Sequence, residues 1–138
     1  GSYAIPFNEA NVVREGGDVT VVAMGMMVHK AMEAASALAK EGIQCEVIDP
    51  RTTSPLDLET IIESVENTGR LVVVDESNPR CSMAADISAQ VTEQAFGSLR
   101  GPVKMVTAPH CPPPFSDVLE DLYIPSPEKI AEAVRALK

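Results

Sequence analysis

The segment EVIDPRTTSPLDLETI, residues 46–61, contains the end of one predicted element and the start of the next. Its apolar run stops at Asp49, and a charged, hydroxyl-rich stretch follows. Ser54 is the predicted N-cap of a helix, because Pro55 suits the first helical position and Asp57 stands where a capping box places its acidic residue. A strand that runs through a short loop into a helix is the repeating unit of α/β proteins.

The same unit recurs along the chain. Apolar, β-branched runs predict strands, and apolar residues spaced three and four apart predict helices. The strands are predicted at 18–25, 43–49, 70–76 and 102–108, and the helices at 28–42, from 55, near 82–97 and from 126. This alternation predicts an α/β fold, a three-layer α/β/α sandwich with a mostly parallel sheet of about five strands.

Residues 18–138 are predicted to form one domain. Gly1-Ser2 has the appearance of a cloning remnant, and residues 3–17 are predicted to be the tail of a linker or an edge strand. Because the chain starts without Met and enters the first strand quickly, we expect it to be a piece of a longer polypeptide.

Composition narrows the classes of partner. The formal net charge of −9 argues against nucleic acid and anionic membranes, because both attract basic surfaces. The three cysteines are odd in number and form no CxxC, so a reducing, cytoplasmic location is predicted. No apolar run approaches the length of a membrane span.

The carboxyl ends of the strands are the expected place for a ligand in an open parallel sheet. The loops at 24–28, 50–54, 76–82 and 108–115 are predicted to gather there, with Arg51, Asp75, Glu76, Arg80, Cys81, His110 and Cys111. None of them forms a catalytic signature. Adjacent His and Cys rarely aim at each other, zinc spacing is missing, and no phosphate-binding loop is present. We therefore predict no catalytic, cofactor-binding or metal-binding residue in this chain.

Several stretches together resemble a known family. EVIDPRTTSPLD, LVVVDE and YIPSPEKI are similar to the C-terminal domain of the β subunit of thiamine-diphosphate-dependent 2-oxo acid dehydrogenases, a domain shared with transketolase-like enzymes. The resemblance covers residues 5–138. After the third strand, ESNPRCSMAADI is similar to the acetoin dehydrogenase branch, since pyruvate and branched-chain members carry a Gly-Gly-containing loop there.

The resemblance implies an assembly role. In the family, the catalytic His lies in an upstream domain, and the α subunit supplies the site for the cofactor's diphosphate and Mg²⁺. This domain is therefore expected to bind neither thiamine diphosphate nor Mg²⁺. It is expected to pack against the α subunit and a second β subunit. It should also dock the basic peripheral-subunit-binding domain of the dihydrolipoyl acyltransferase. Glu128, Glu132 and the terminal carboxylate of Lys138 are the docking candidates, and Arg51 is an interface candidate.

Two other interpretations stay open from the sequence. The chain could be a stand-alone α/β enzyme or small-molecule-binding domain that uses the loop edge around Arg51, with Asp75, Arg80 and Cys111. It could also be a purely structural dimer module with a large apolar interface.

Overall fold

The computed structural model describes all 138 residues, and its centre is a five-stranded sheet in the order β1-β3-β2-β4-β5. The strands are β1 (Asn11–Arg14), β2 (Val19–Ala23), β3 (Cys45–Asp49), β4 (Leu71–Asp75) and β5 (Lys104–Thr107). β2 pairs in parallel with β3 and β4, and β4 pairs in parallel with β5, while β1 runs antiparallel to β3. Residues 11–14 thus form one edge of the sheet.

Helices cover both faces of the sheet. They are α1 (Met27–Lys40), α2 (Leu58–Thr68), α3 (Met83–Ala95), α4 (Asp117–Tyr123) and α5 (Pro127–Arg135). α1 and α5 pack against one face of the sheet, around a core of 17 buried residues. α2 and α3 pack against the other face, around a core of 10. β2 and β4 are buried throughout because both faces are covered. The predicted three-layer sandwich is confirmed.

Most helix ends follow the signals in the sequence. Gly42 lies just beyond α1 with φ of 84°, a left-handed conformation that glycine adopts without a Cβ clash. Ser126 caps α5, since its hydroxyl accepts from the N–H of Lys129 at 3.2 Å, and Pro127 is the first helical residue.

The predicted start of α2 is wrong. Ser54 does not cap the helix. α2 begins at Leu58, and its N-cap is Asp57, whose Oδ1 accepts from the N–H of Thr60 at 3.2 Å. The other carboxylate oxygen of Asp57 accepts from the N–H of Ala10 at 2.8 Å. Because this contact comes from the N-terminal segment, the local pattern around Ser54 could not reveal it.

One helix had no counterpart in the sequence prediction. α4 follows the proline-rich stretch after β5 and has no buried residue. No helix of the structure is both long and apolar enough to cross a membrane.

Candidate functional site

Arg51 lies at the carboxyl edge of the sheet, as predicted, in a left-handed conformation with φ of 60°. Its N–H donates to Asp49 Oδ1 at 2.9 Å, which holds the turn that follows β3. Its side chain is exposed and lines an open depression of about 450 Å³ with Gly25 and the segment 5–7. A non-glycine residue at this φ is uncommon, so the turn holds Arg51 against its local preference.

Asp75 is buried at the same edge and has a structural role. Its Oδ1 accepts from the N–H and the hydroxyl of Ser77 at 2.9 and 2.8 Å. Its Oδ2 accepts from the N–H of Ala84 at 3.3 Å, in the first turn of α3. Arg80 is exposed and forms no ion pair with Asp75 or Glu76.

His110 and Cys111 are exposed in the loop after β5 and line a second open depression, of about 300 Å³. No hydrogen bond joins the His110 ring to the Cys111 thiol. The carbonyl of Cys111 accepts from the hydroxyl of Tyr123 at 3.0 Å, which ties the loop to α4. His110 and Cys111 therefore belong to a loop that Tyr123 anchors to α4.

The buried carboxylate of this edge is not available to a diphosphate-bound Mg²⁺. Such a site needs carboxylate or carbonyl oxygens free to ligate the cation, and Asp75, the buried carboxylate here, already uses both oxygens. No three His, Cys, Asp or Glu side chains of the chain are grouped to hold a metal ion.

A groove with acidic rims lies between α1 and α5. It has a volume of about 410 Å³, and we call it the acidic groove. Glu33 stands on the α1 side, and Glu128 and Glu132 stand on the α5 side. Its floor includes Ala34 and Ala131, whose small side chains leave the space between the helices open. The structure therefore brings two of the predicted docking residues together and adds Glu33.

Arg135 also lines the acidic groove, but its guanidinium forms an ion pair with Glu41. Its Nε and Nη2 donate to the two carboxylate oxygens of Glu41 at 2.9 and 2.6 Å. This bond lowers the pKa of Glu41 and raises the pKa of Arg135. Glu33, Glu128 and Glu132 have no ion-pair partner, so the groove keeps a negative charge.

Lys138 does not lie with the glutamates of the groove. Its Nζ donates to Asp18 Oδ1 at 2.6 Å, near the start of β2, and this bond is the main cause of the lowered pKa of Asp18. Beside it, Arg70 Nε donates to the carbonyl of Leu137 at 2.7 Å. The C-terminal residues are thus fastened to the amino edge of the sheet, whereas Arg51 lies at the carboxyl edge.

Two features that bear on function were not predicted from the sequence. Glu33 was not among the docking candidates, and its signal was the run of alanines around it. The apolar face of α4 was missed with the helix itself. Only the pairing of α1 with α5 in the fold makes Glu33 a neighbour of Glu128 and Glu132.

Comparison with known proteins gives the family of this fold. The family model "Transketolase, C-terminal domain" matches residues 8–130. The chain is 64% identical over 135 residues to the acetoin:2,6-dichlorophenolindophenol oxidoreductase subunit beta of Cupriavidus necator. It is 43% identical over 133 residues to the pyruvate dehydrogenase E1 component subunit beta of Bacillus subtilis. These alignments cover 98% and 96% of this chain.

The chain spans only 40% and 41% of the length of those two relatives. Among solved structures, a split gene transketolase described as an inactive beta4 tetramer superposes with a TM-score of 0.84 and 29% identity. That match covers 98% of this chain and 43% of the other. The sequence match over residues 8–130 and the shared fold lead to one assignment. The chain belongs to the transketolase C-terminal domain family.

Proposed function

We propose that this chain is the C-terminal domain of the β subunit of a thiamine-diphosphate-dependent acetoin or 2-oxo acid dehydrogenase, and that it acts in assembly and docking. The observation that carries the proposal is the 64% identity to an acetoin:2,6-dichlorophenolindophenol oxidoreductase subunit beta across 98% of the chain. An acetoin dehydrogenase is better supported than a pyruvate dehydrogenase, since the pyruvate dehydrogenase E1 relative is only 43% identical. In this proposal, thiamine diphosphate and Mg²⁺ are bound by the α subunit and by the part of the β subunit that precedes this domain.

The acidic groove is the proposed docking site for the basic peripheral-subunit-binding domain of the dihydrolipoyl acyltransferase. Glu33, Glu128 and Glu132 present unpaired carboxylates on both rims, and Arg135 is neutralised by Glu41. Complementary charge accelerates and orients an encounter of this kind, and the effect decreases as salt screens it. The alanine floor leaves room for an aliphatic stem of a Lys or Arg side chain between the helices.

Arg51 is the proposed contact with the rest of the β subunit. Its depression is open, and Phe7 beside it is 82% exposed, so the face suits another protein surface. The small-molecule alternative has less support because the depression is open, and Asp57, the group with a shifted pKa near this edge, already accepts hydrogen bonds from the N–H groups of Ala10 and Thr60. We expect Arg51→Ala in the intact enzyme to impair assembly or thermal stability before turnover. Retained assembly and stability with lost turnover would contradict this role.

The proposed partners are the α subunit, a second β subunit and the acyltransferase. Self-association of β subunits has a precedent in the split gene transketolase relative, which is described as a beta4 tetramer. The proposed location is the cytoplasm, because all three cysteines are unpaired.

The docking proposal is tested by titrating this chain with the acyltransferase's binding domain in low and moderate salt. The test variant is Glu128→Gln/Glu132→Gln. The matched control is Glu59→Gln/Glu63→Gln, which removes two charges from another acidic depression, on α2 at the opposite face of the sheet. We expect the groove variant to weaken binding about tenfold or more, as loss of complementary charges does, and the control to bind like the wild type.

The intact α and β subunit enzyme is the positive control. If that enzyme binds the acyltransferase domain and the 138-residue chain does not, the docking role of this domain is wrong. Equal weakening in both variants would contradict the groove, because overall charge would then explain the binding.

A further inference from the structure

Three cations meet at one corner of the amino edge of the sheet. Arg70 immediately precedes β4, Arg100 lies in the segment before β5, and Lys104 is the first residue of β5. We call these three residues the basic corner. Arg100 and Lys104 are exposed, and Arg70 is half-buried. In a chain with a formal net charge of −9, a group of three positive charges is a local exception.

Backbone contacts hold the basic corner together. The N–H of Arg100 donates to the carbonyl of Gly69 at 2.8 Å, and the Arg100 side chain lies over Gly69, where a Cβ would be 2.8 Å from its Cγ and Cδ. Lys104 pairs in the parallel register with Val72, two residues after Arg70. Arg70 and Lys104 therefore point to the same face of the sheet, with roughly 8 Å between their Cα atoms.

No carboxylate neutralises the basic corner. None of its three residues forms an ion pair, whether with an Asp, a Glu or the terminal carboxylate. Asp18 is within electrostatic range of Arg70, but both of its oxygens are in use. Its Oδ1 accepts from Lys138 Nζ at 2.6 Å, and its Oδ2 accepts from the N–H of Gln44 at 2.7 Å. Glu66, near the end of α2, lines the acidic depression of that helix instead.

Helix ends account for part of this charge. The carboxyl ends of α2, α3 and α5 lie at the amino edge, and the carbonyl of Leu137, just after α5, accepts from Arg70 Nε at 2.7 Å. Each helix end carries about half a negative charge, so three of them offset about half of the three positive charges. A lysine on an edge strand also protects that edge from pairing, but this role does not need two arginines beside it. The basic corner therefore keeps a surplus of positive charge.

The surface at the basic corner is not concave. None of the depressions of the chain is lined by Arg70, Arg100 or Lys104. Small-molecule sites are concave and enclose most of their ligand, so this surface suits a polypeptide better. β5 is also the outermost strand of the sheet, and the outward N–H and C=O groups beside Lys104 pair with no other strand.

We propose that the basic corner binds an acidic polypeptide segment of a partner protein. The guanidinium groups of the two arginines are planar forks that match carboxylates, and Lys104 adds a compact positive charge. A segment with several Asp or Glu residues, laid along β5, brings carboxylates to these cations. Such a partner differs from the basic domain that the acidic groove is proposed to bind. The inference goes beyond the proposed function and does not depend on it.

The experiment is a titration of a fluorescein-labelled hexaglutamate peptide with the 138-residue chain, followed by fluorescence anisotropy at about 20 mM and about 200 mM salt. The test variant is Arg100→Gln/Lys104→Gln. The matched control is Arg80→Gln/Lys129→Gln, because it also removes one exposed arginine and one exposed lysine, neither of them in an ion pair. Arg100→Lys/Lys104→Arg keeps both charges of the corner. Circular dichroism and thermal unfolding establish that each variant is folded.

We expect the wild type to bind the peptide saturably at low salt, and the higher salt to weaken binding about tenfold or more, because it screens the charges. The test variant should bind about fivefold more weakly or worse, as the loss of two exposed charge pairs implies. The control and the charge-keeping variant should bind within about twofold of the wild type.

A wild type that binds no peptide at low salt would overturn the proposal. Equal weakening in the test variant and the control would also overturn it, because binding would then follow overall charge. Inorganic phosphate is titrated separately by calorimetry, and phosphate that binds more tightly than the peptide would show a small-anion site in place of a polypeptide site. No measurement uses the acyltransferase, so failure of the docking proposal is distinguishable from failure of this one.

Discussion

The carboxylate of Asp57 accepts a hydrogen bond from the backbone N–H of Ala10, with 2.8 Å between Oδ2 and the nitrogen. The same carboxylate caps α2 through the N–H of Thr60 and also accepts from the Thr60 hydroxyl at 2.7 Å. One side chain therefore joins the segment before β1 to the start of α2. This connection positions the chain beside Arg51, where Asn8 also donates its N–H to the hydroxyl of Thr52 at 3.2 Å.

Asp57→Ala is expected to reduce the free energy of unfolding by about 1–2 kcal/mol, because it removes an N-cap and a tertiary hydrogen bond. Ser54→Ala is the matched control, since Ser54 is exposed and caps no helix. Its effect should stay within about 0.5 kcal/mol. Urea unfolding of both variants measures the difference. Equal losses of unfolding free energy in the two variants would contradict the assignment of the α2 cap to Asp57.

The ionisation of Asp57 predicts a pH dependence. Burial raises the pKa of Asp57, but the hydrogen bonds from Ala10 and Thr60 together lower it below its ordinary value. A folded-state pKa below the unfolded value of about 3.9 stabilises the fold above that pH, and the stabilisation is lost as pH falls through the folded pKa. Asp57→Asn should therefore be less stable than the wild type at pH near 6, and the gap should narrow toward about pH 3. Denaturant unfolding at several pH values tests this, and a constant gap would contradict it.

The close approach of Gly16 to β3 gives a prediction about the edge strand. A Cβ on Gly16 would overlap the carbonyl carbon and oxygen of Cys45, whereas a Cβ on Gly17 would meet nothing within 4 Å. Gly16→Ala should cost about 1–3 kcal/mol, because the β1–β2 connection must move away from β3. Gly17→Ala should change stability by less than about 0.5 kcal/mol. Equal thermal midpoints for the two variants would show that this connection is not packed as described.

Periodicity in the sequence predicted the layers of the fold because burial on a helix or strand follows the local residue spacing. The apolar run at 70–76 correctly predicted a strand, β4, which is buried throughout. α4 escaped prediction because a seven-residue helix offers less than two turns of periodicity, and its apolar stripe faces solvent. The spacing rule assumes that apolar residues face the core, and α4 departs from that assumption.

The site residues were harder to predict because they depend on contacts between distant segments. Glu128 and Glu132 were candidates from their position near the C-terminus, but Glu33 became part of the acidic groove only through the packing of α1 against α5. The terminal carboxylate of Lys138 was a further candidate, and an ion pair between the Lys138 Nζ and Asp18 holds this residue at the amino edge of the sheet. Local sequence does not determine which partner a long charged side chain finds.

The buried hydroxyls between β2 and α2 predict a specific loss of stability. Thr20 Oγ1 lies 2.7 Å from both Ser64 Oγ and Thr68 Oγ1, and all three residues are buried. Thr20→Val keeps the volume but leaves the Ser64 hydroxyl without its partner, so we expect a loss of about 1–3 kcal/mol.

The control for this prediction is Thr92→Val on α3, where the hydroxyl is exposed and donates to the carbonyl of Ser88. It should change stability by less than about 0.5 kcal/mol. Adding Ser64→Ala to Thr20→Val should cost less than the sum of the two single variants, because the unpaired hydroxyl is then removed. Strict additivity would contradict the network.

Two of the three thiols are expected to react readily, and the third is expected to be protected by burial. Cys81 and Cys111 are exposed, whereas Cys45 is buried in β3 and its burial raises the pKa of the thiol to about 11 despite the nearby charge of Arg14. Thiolate is the reactive form, so Cys45 should resist modification in the folded state.

Treatment of the native chain with a chromogenic disulfide reagent near pH 8 should titrate Cys81 and Cys111 quickly. Cys45 should react only after denaturant is added. The Cys81→Ser/Cys111→Ser variant is the control and should show no fast reaction. A fast thiol in that folded variant would mean that β3 opens far more readily than its buried position between β1 and β2 implies.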